Sequence, residues 1–384
     1  MKLKLINFIR NIIPIEYKYY LKKFIASLGL NRSIRQNKKA YKENKNLFKN
    51  CDKAFFEMAS NIPSININHF IDSYKNKTLK PVRVLNVSSN ENDPILICVV
   101  KDDLTRIKVQ VEYHRKAGIR HFAYIDNMSK DGTFEWLEKQ KDVSLFCVNE
   151  EFRSLKQRSW VRQAIDTLGY DKWYLDLDSD ELFSYPGIEK KSITEFIDFL
   201  ELKKIRSSYT LVLDMYSKNG LFKLNNSNDY IAEYCYFDSD GYRISKIGKI
   251  YQLITGGPRK RFFSNTEKTF SNNMTNYSLV KVSESMITGV HYNYPTYLNF
   301  ENSLPIAFLL HYKFLPQDNI KYTDHINTGV HAGGSTEYKH YMKVYKENLN
   351  STFYYEKSQK YNNSYDLLKI NIANKVFFNE FLVQ

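Results

Sequence analysis

The clearest hydrophobic pattern lies between residues 93 and 177, where short apolar runs alternate with amphipathic ones. Residues 94–100 (PILICVV) form a continuous apolar, β-branched run, as in a strand buried on both faces of a parallel sheet. Residues 104–117 space Leu104, Ile107, Val111 and His114 at helical intervals, and Gly118 ends that helix. A second strand is predicted over 121–126 (HFAYID), closed by the polar turn 126–133. A helix over 134–141, a strand over 143–148, a helix over 159–168 and a strand over 174–177 continue the alternation. Such alternation predicts a parallel sheet with right-handed crossovers, ligands binding beyond the strand C-termini. Asp102, Asp126 and Asp178 all stand at such ends.

The flanks read differently. Residues 1–30 predict a basic amphipathic helix with Leu5, Ile6, Phe8, Ile9, Ile12 and Ile13 on its apolar side, interrupted near Pro14. Residues 31–50 are a basic helix or linker, and 51–90 a helical or irregular connector. Past the fourth strand, a helix is expected over 193–202 and a strand over 209–215. A loop-rich stretch reaches about residue 250, the basic run GGPRKRFF fills 256–263, and strands follow at 280–282, 287–292 and 307–314. From residue 319 the chain is polar, Tyr-rich and partly helical. The expected division is 1–92 N-terminal segment, 93–318 catalytic domain and 319–384 C-terminal extension.

The fourth strand carries the densest candidate chemistry. In KWYLDLDSDELF (172–183) the carboxylates begin where the apolar strand ends. Residues two apart in an extended chain point to one side, so Asp176, Asp178 and Asp180 are expected to project together. Three like charges that close call for a cation or a retained proton, and Mg²⁺ or Mn²⁺ with oxygen ligands meets that need. The plainer alternative is a solvated acidic turn.

Charge and cysteine content narrow the class. The net charge is +14, but residues 1–50 hold thirteen Lys/Arg against two Glu and so account for +11 of it. That confinement, and the lack of RNP-like or helix-turn-helix patterns, argue against a nucleic-acid-binding protein. Four scattered cysteines suggest neither a disulfide framework nor a zinc site, which fits a reducing cytosol. No apolar run is long enough to span a bilayer, and the first residues do not read as a signal peptide. The basic segment over residues 1–50, amphipathic over 1–30, predicts either contact with an anionic membrane surface, with a cytoplasmic, peripheral location, or an apolar face packed on the body or on a second subunit.

Four segments resemble, in order, the motifs of bacterial GT-A fold glycosyltransferases, the family 2-like group related to family 92. VVKDD (99–103) stands at that family's RNE-like position. YHRKAGIRHF (113–122) resembles HHxxxGVxHF, YIDNMSKDGT (124–133) resembles xYDNxSxDGT, and DSDELF (178–183) resembles DxDEFL. GPRKRF (257–262) and HYKF (311–314) resemble later elements. The resemblance covers residues 95–315 and departs from the family at Lys101, Asp102 and Asp103, where Arg-Asn-Glu is usual.

It implies an α/β, GT-A (Rossmann-like) core that transfers a hexosyl group from a nucleotide sugar, a UDP-sugar foremost. The acceptor would be a glycan or lipid-linked glycan of a capsule or lipopolysaccharide, and the protein could be a homo-oligomer. Mn²⁺ or Mg²⁺ on Asp178 and Asp180 would offset charge on the nucleoside-diphosphate leaving group. Glu181 would orient a ligand, with Asp180 and Glu181 counted among the catalytic residues. His311 resembles the late histidine that completes the metal site, with His291 as its competitor. Asp126 would bond the nucleoside, or else serve only an Asx-turn, and Asp102 would touch base or ribose. Arg158 and Lys313 are expected to face the donor, and Arg259 and Arg261 either to hold its diphosphate or an acidic acceptor or to sit in a solvated basic loop. For an inverting transfer a carboxylate base is needed, and Asp214, Glu233, Asp238 and Asp240 are candidates. The rival reading is a degenerate, non-catalytic nucleotide- or glycan-binding protein of the same fold.

Overall fold

The computed structural model describes residues 32–61, 67–86, 90–225, 229–263, 272–289, 291–329 and 332–384. The helix expected over residues 1–30 lies outside them. The central strands are β1 (Lys80–Arg83), β2 (Ile95–Val100), β3 (His121–Asp126), β4 (Val143–Cys147) and β5 (Lys172–Asp176). With Leu279–Val282 (β8 below) they form a six-stranded sheet in the order β1-β4-β3-β2-β5-β8. The inner four are parallel and the two edges antiparallel.

The run ILICVV alternates between two cores. Leu96, Cys98 and Val100 enter one apolar cluster, while Ile95 and Ile97 enter the other. The first face is covered by helices with apolar positions at helical spacing. Arg32–Asn44 (α1), Asp52–Asn61 (α2) and Asn68–Asn76 (α3) precede the sheet. Leu104–Lys116 (α4), Thr133–Glu138 (α5), Ser154–Leu168 (α6) and Ile193–Leu202 (α7) follow its strands. Ile107 and Val111 of α4 and Ile193, Phe196 and Leu200 of α7 pack on one side. Trp160, Val161, Ala164 and Ile165 of α6 pack on the other. Each large apolar side chain fully buried here contributes about 1.5–3 kcal/mol. Gly118, at φ +104°, takes the left-handed conformation that stops α4.

A smaller sheet joins β6 (Glu181–Ser184), β7 (Thr210–Asp214) and β9 (Ala307–His311), with Thr275–Asn276 at its edge and β8 (Leu279–Val282) leading back to the first sheet. In it β9 runs parallel to β7 and antiparallel to β6. Helices Gly257–Phe263 (α8), Pro316–Thr328 (α9), Ala332–Glu347 (α10) and Lys375–Val383 (α11) complete the elements used below.

Four expectations change. The GGPRKRFF run holds α8 rather than a loop. Residues 287–292 form no strand, only an isolated bridge between Ile287 and Tyr294. Helix α6 begins at Ser154, five residues early. The fourth strand ends at Asp176, so Asp178 and Asp180 belong to a turn. The N-terminal helices α1–α3 build their own aromatic core around Phe48, Phe55 and Phe70. The last helix, α11, inserts Phe377, Phe378 and Phe381 into the main core, against Phe196 and Phe199. No described helix is long and apolar enough to cross a membrane.

Candidate active site

From β2 the chain winds outward through β3 and β4, then returns to the opposite flank of β2 as β5. The winding direction therefore reverses between β2 and β5, and a crevice opens beyond their carboxyl ends, where ligands bind in such sheets. The two loops on the β2–β3 side are stitched together. Lys130 N donates to Asp102 Oδ1 (2.5 Å), Asp102 N to Ser129 Oγ (2.9 Å) and Leu104 N to Asp131 Oδ2 (2.9 Å). Asp102 thus ties loops, with its side chain exposed.

On the β5 side, residues 177–180 turn sharply into β6, and the four carboxylates diverge instead of projecting together. Asp176 pairs with Arg158. Asp178 opens to the cleft, with only Gln157 Nε2 at 3.4 Å. Asp180 faces His311, and Glu181 folds back to accept from Asp178 N (3.1 Å). One polar stripe of α4, with members four residues apart, holds this turn. Gln110 Nε2 donates to the carbonyls of Asp178 (2.8 Å) and Glu181 (3.0 Å), and His114 Nε2 accepts from Phe183 N (3.1 Å). Next in that stripe, Arg106 is buried and binds both oxygens of Asp318 and the Tyr312 carbonyl.

His311, at the end of β9, sits between two carboxylates. Its Nδ1 lies 2.7 Å from Asp214 Oδ1 and its Nε2 3.3 Å from Asp180 Oδ2. Burial alone would lower its pKa, but Asp180 and then Asp214 raise it to about 9, so the ring is an imidazolium here. Asp214 gives its other oxygen to Arg259 Nε (2.7 Å), and Arg259 continues to Glu337 (2.9 Å) and Tyr341 (3.2 Å). Despite burial, Arg259 and His311 hold Asp214 down at about 2. Desolvation opposes ionisation of Asp180 too, but His311, then Arg106 and Lys313, more than offset it. Asp178 is different. The depth of the cleft first, and the charge of Asp180 second, push its pKa up, even though its side chain meets solvent. Burial, then Asp178, pushes the Glu181 carboxyl well above the usual carboxylate range.

The cleft beside the turn is lined by Arg158, Asp176, Asp178, Glu181, Asn276 and Ser278. Several buried polar atoms at this end of the sheet have no partner among the described residues: Asp126 Oδ2, Arg158 Nε and Ser278 Oγ. Asp126 is the most telling, because its Oδ1 already closes the Asx-turn to Ser129 N (3.0 Å) while Oδ2 is left over. Burying an unmet carboxylate oxygen is costly, so such an atom marks a place for a ligand donor.

A divalent cation fits the chemistry of this donor set only in part. Asp180 and His311 Nε2 adjoin, Asp214 orients the ring as a carboxylate orients a metal-bound imidazole, and Asp178 lacks a cationic partner. Among the described residues, however, no three His, Cys, Asp or Glu side chains already converge as a metal centre.

The other sequence candidates fall in several places. His291 takes no part in the Asp180–His311 pair; its Nδ1 bonds the Thr275 carbonyl (2.9 Å). Asp238 gives its carboxylate to Arg261 (3.0 Å to each oxygen) and Tyr216 (2.6 Å). Glu233 accepts from Asn219 (2.6 Å) and Asn225 N, and Asp240 is exposed. Asp214 and Asp238, both nearly inaccessible and with both oxygens engaged, position cations; neither offers a lone pair to an incoming hydroxyl. Sequence reasoning missed Arg106, Gln110, Asp103, Lys321 and Glu337. The i, i+4, i+8 polar stripe of α4 among apolar neighbours was the available signal for the first two.

No family model matches the chain, and no curated protein matches it. Among solved structures it is similar to S. aureus TarS 1–349, at 17% identity and TM-score 0.25, covering 35% of this chain and 39% of that one. It is also similar to the mannosyltransferase PcManGT from Pyrobaculum calidifontis, solved with GDP-Man and Mn²⁺ (14% identity, TM-score 0.24, 38% and 42% covered). A third is 4-diphosphocytidyl-2C-methyl-D-erythritol synthase (9% identity, TM-score 0.23, 36% and 65% covered). The chain spans less than two thirds of each of these proteins, and the likeness is confined to little more than a third of it.

Proposed function

We propose that the chain is a nucleotide-sugar glycosyltransferase with a GT-A-type core spanning residues 93–318. The observation that carries this reading is the reversal of winding between β2 and β5, with Asp126 Oδ2 unpartnered among the described residues on one side and Asp178 lining the crevice on the other. On this reading Asp126 and the Asp102 loop receive the nucleoside of the donor, with a UDP-sugar as the first candidate. The diphosphate lies towards Asp178, Asp180 and His311. Mn²⁺ or Mg²⁺, held by Asp178, Asp180 and a His311 that has given up its Nε2 proton, would supply Lewis-acid neutralisation of the departing diphosphate. Asp214 fixes the imidazole ring, and Gln110 and His114 fix the turn. Glu181 anchors the Asp178 amide. An inverting transfer needs a base outside Asp180, Asp214 and Asp238, which are ion-paired, and outside Glu181, which is turned back onto that amide.

The setting we propose is synthesis of a bacterial surface polysaccharide, capsule or lipopolysaccharide, on a glycan or lipid-linked acceptor. The exposed Arg35, Lys38, Lys39 and Lys42, on one stripe of α1, suit an anionic membrane surface at the cytoplasmic face.

Thermal melting with UDP, GDP, CDP, ADP and dTDP, with and without Mn²⁺, tests the reading. A rise with one base, larger with Mn²⁺ and absent in D178N/D180N, is expected; no response from folded protein to any nucleotide overturns it. The lack of a preformed metal cluster favours one second reading, a non-catalytic binder. That protein would bind nucleotide yet neither hydrolyse nor transfer from any nucleotide sugar.

A further inference from the structure

Around the acidic turn, most cations are already spoken for. Arg106 is neutralised by Asp318, Arg259 by Asp214 and Glu337, and Arg158 by Asp176. Two ammonium groups have, among the described residues, only carboxylates that other cations already share, Asp103 for Lys321 and Glu337 for Lys313. Lys313, two residues beyond His311, makes no ion pair among the described residues; its Nζ instead lies over the rings of Tyr338 (5.2 Å) and Tyr341 (5.8 Å) on α10. Lys321, on α9, reaches only Asp103 Oδ2 at 3.4 Å. That carboxylate is already shared with Arg106 (3.4 Å) and with the hydroxyl of Ser179 (2.5 Å), the residue between Asp178 and Asp180. The two lysines are tied together through Tyr322. Its hydroxyl donates to the Lys313 carbonyl, and its ring packs on Tyr338 at 4.7 Å.

A partly desolvated ammonium that only shares its counter-charge is under-compensated, and a tyrosine face offsets that cost only in part. Two such groups, held near one turn, form a ready-made seat for an anion with several oxygens. Both lie near enough to Asp180 for their charges to be felt there.

We propose that Lys313 and Lys321 together grip the diphosphate of a nucleoside-diphosphate ligand, an inference that rests on the donor reading above. The α9–α10 hairpin, outside the motif-bearing region, is then a wall of the donor site. It supplies one lysine directly and holds the other through Tyr338 and Tyr341. Lysine suits this task because its ammonium is a compact charge with three donors that can follow a flexible diphosphate.

Isothermal titration in EDTA, then in Mn²⁺, tests this with the five nucleoside diphosphates and inorganic pyrophosphate. The proteins are wild type, K313M, K321M, the double variant, K321R and the exposed α10 control K339M, each checked for an unchanged melting curve. Losing one charge-assisted contact is expected to raise Kd about tenfold or more. The double variant should lose more, K321R should recover part, and K339M should match wild type. Nucleoside diphosphate binding that is equal in wild type and double variant overturns the lysine assignment while leaving the donor reading intact. Lysine-dependent pyrophosphate binding without any nucleotide binding upholds the anion seat and sinks the donor reading. No binding of any probe to wild type overturns both.

Discussion

His311 donates from Nδ1 to Asp214 across 2.7 Å, and that bond aims Nε2 of the same ring at Asp180. The ring therefore cannot rotate away from the acidic turn without abandoning a buried carboxylate. Replacing Asp214 with Asn keeps the shape but removes the charge that orients the imidazole and balances Arg259. We expect D214N to weaken Mn²⁺-dependent nucleotide binding about 10–100-fold. It should also cost about 3–5 kcal/mol of stability, because Arg259 loses a buried partner. Titration calorimetry and urea denaturation read the two effects separately. Unchanged metal dependence in folded D214N would show that ring orientation is irrelevant to the site.

Acid should destabilise the protein through two histidines outside the reacting groups. His114 and His121 are buried, and desolvation lowers both pKa values from 6.5 to about 4. The folded state then resists protonation that the unfolded chain accepts. Their contribution is full above about pH 6.5, falls as the pH drops towards 4 and is flat below that. Each pKa unit is worth about 1.4 kcal/mol, so each histidine accounts for at most about 3 kcal/mol over this window. Urea unfolding of H121N, whose ring nitrogen meets Ser144 Oγ at 2.7 Å, should show a shallower loss between pH 6.5 and 4.5 than wild type. An identical pH slope would refute the assignment.

Gln110 is a single side chain serving three groups: the carbonyls of Asp178 and Glu181 and the Tyr124 hydroxyl (2.8 Å). Truncating it strands buried polar atoms, so Q110A should lose about 3 kcal/mol or more, at about 1–3 kcal/mol for each of the three groups left unmet. The turn would also loosen, so nucleotide affinity should fall along with stability. Loss of stability with affinity fully retained would mean the turn keeps its shape without that side chain.

The sequence made the parallel core legible because a strand buried on both faces must be apolar without interruption, and 94–100 and 122–125 are. From that, the strand ends Asp102, Asp126 and Asp178 follow directly. The acidic turn was misread because alternation holds only while the chain stays extended, and the strand stops at Asp176. Helix α8 hid because Gly256-Gly257-Pro258 reads as a turn, although proline in a first helical turn is compatible with its fixed φ. The charge network was beyond reach for a different reason. Arg106 meets Asp318 across 212 residues, and no local pattern encodes such a partner.

Asp178 and Asp180 stand two positions apart in the chain yet should respond oppositely to neutralisation. Asp180 has His311 at 3.3 Å and feels Arg106 and Lys313, so its charge stabilises the fold. Asp178 has only a long contact from Gln157, and its charge is opposed by the depth of the cleft and by Asp180. D180N should therefore destabilise the metal-free protein, whereas D178N should be neutral or stabilising by about 0.5–1 kcal/mol, the small size expected of a solvent-screened contact. Both variants should lose the Mn²⁺-dependent part of nucleotide binding. The contrast separates a ligand-binding role from a structural one, because a carboxylate kept for stability would not make the protein more stable when removed. Melting in EDTA at pH 7.5 reads the difference, and equal destabilisation of D178N and D180N would place both carboxylates in the scaffold.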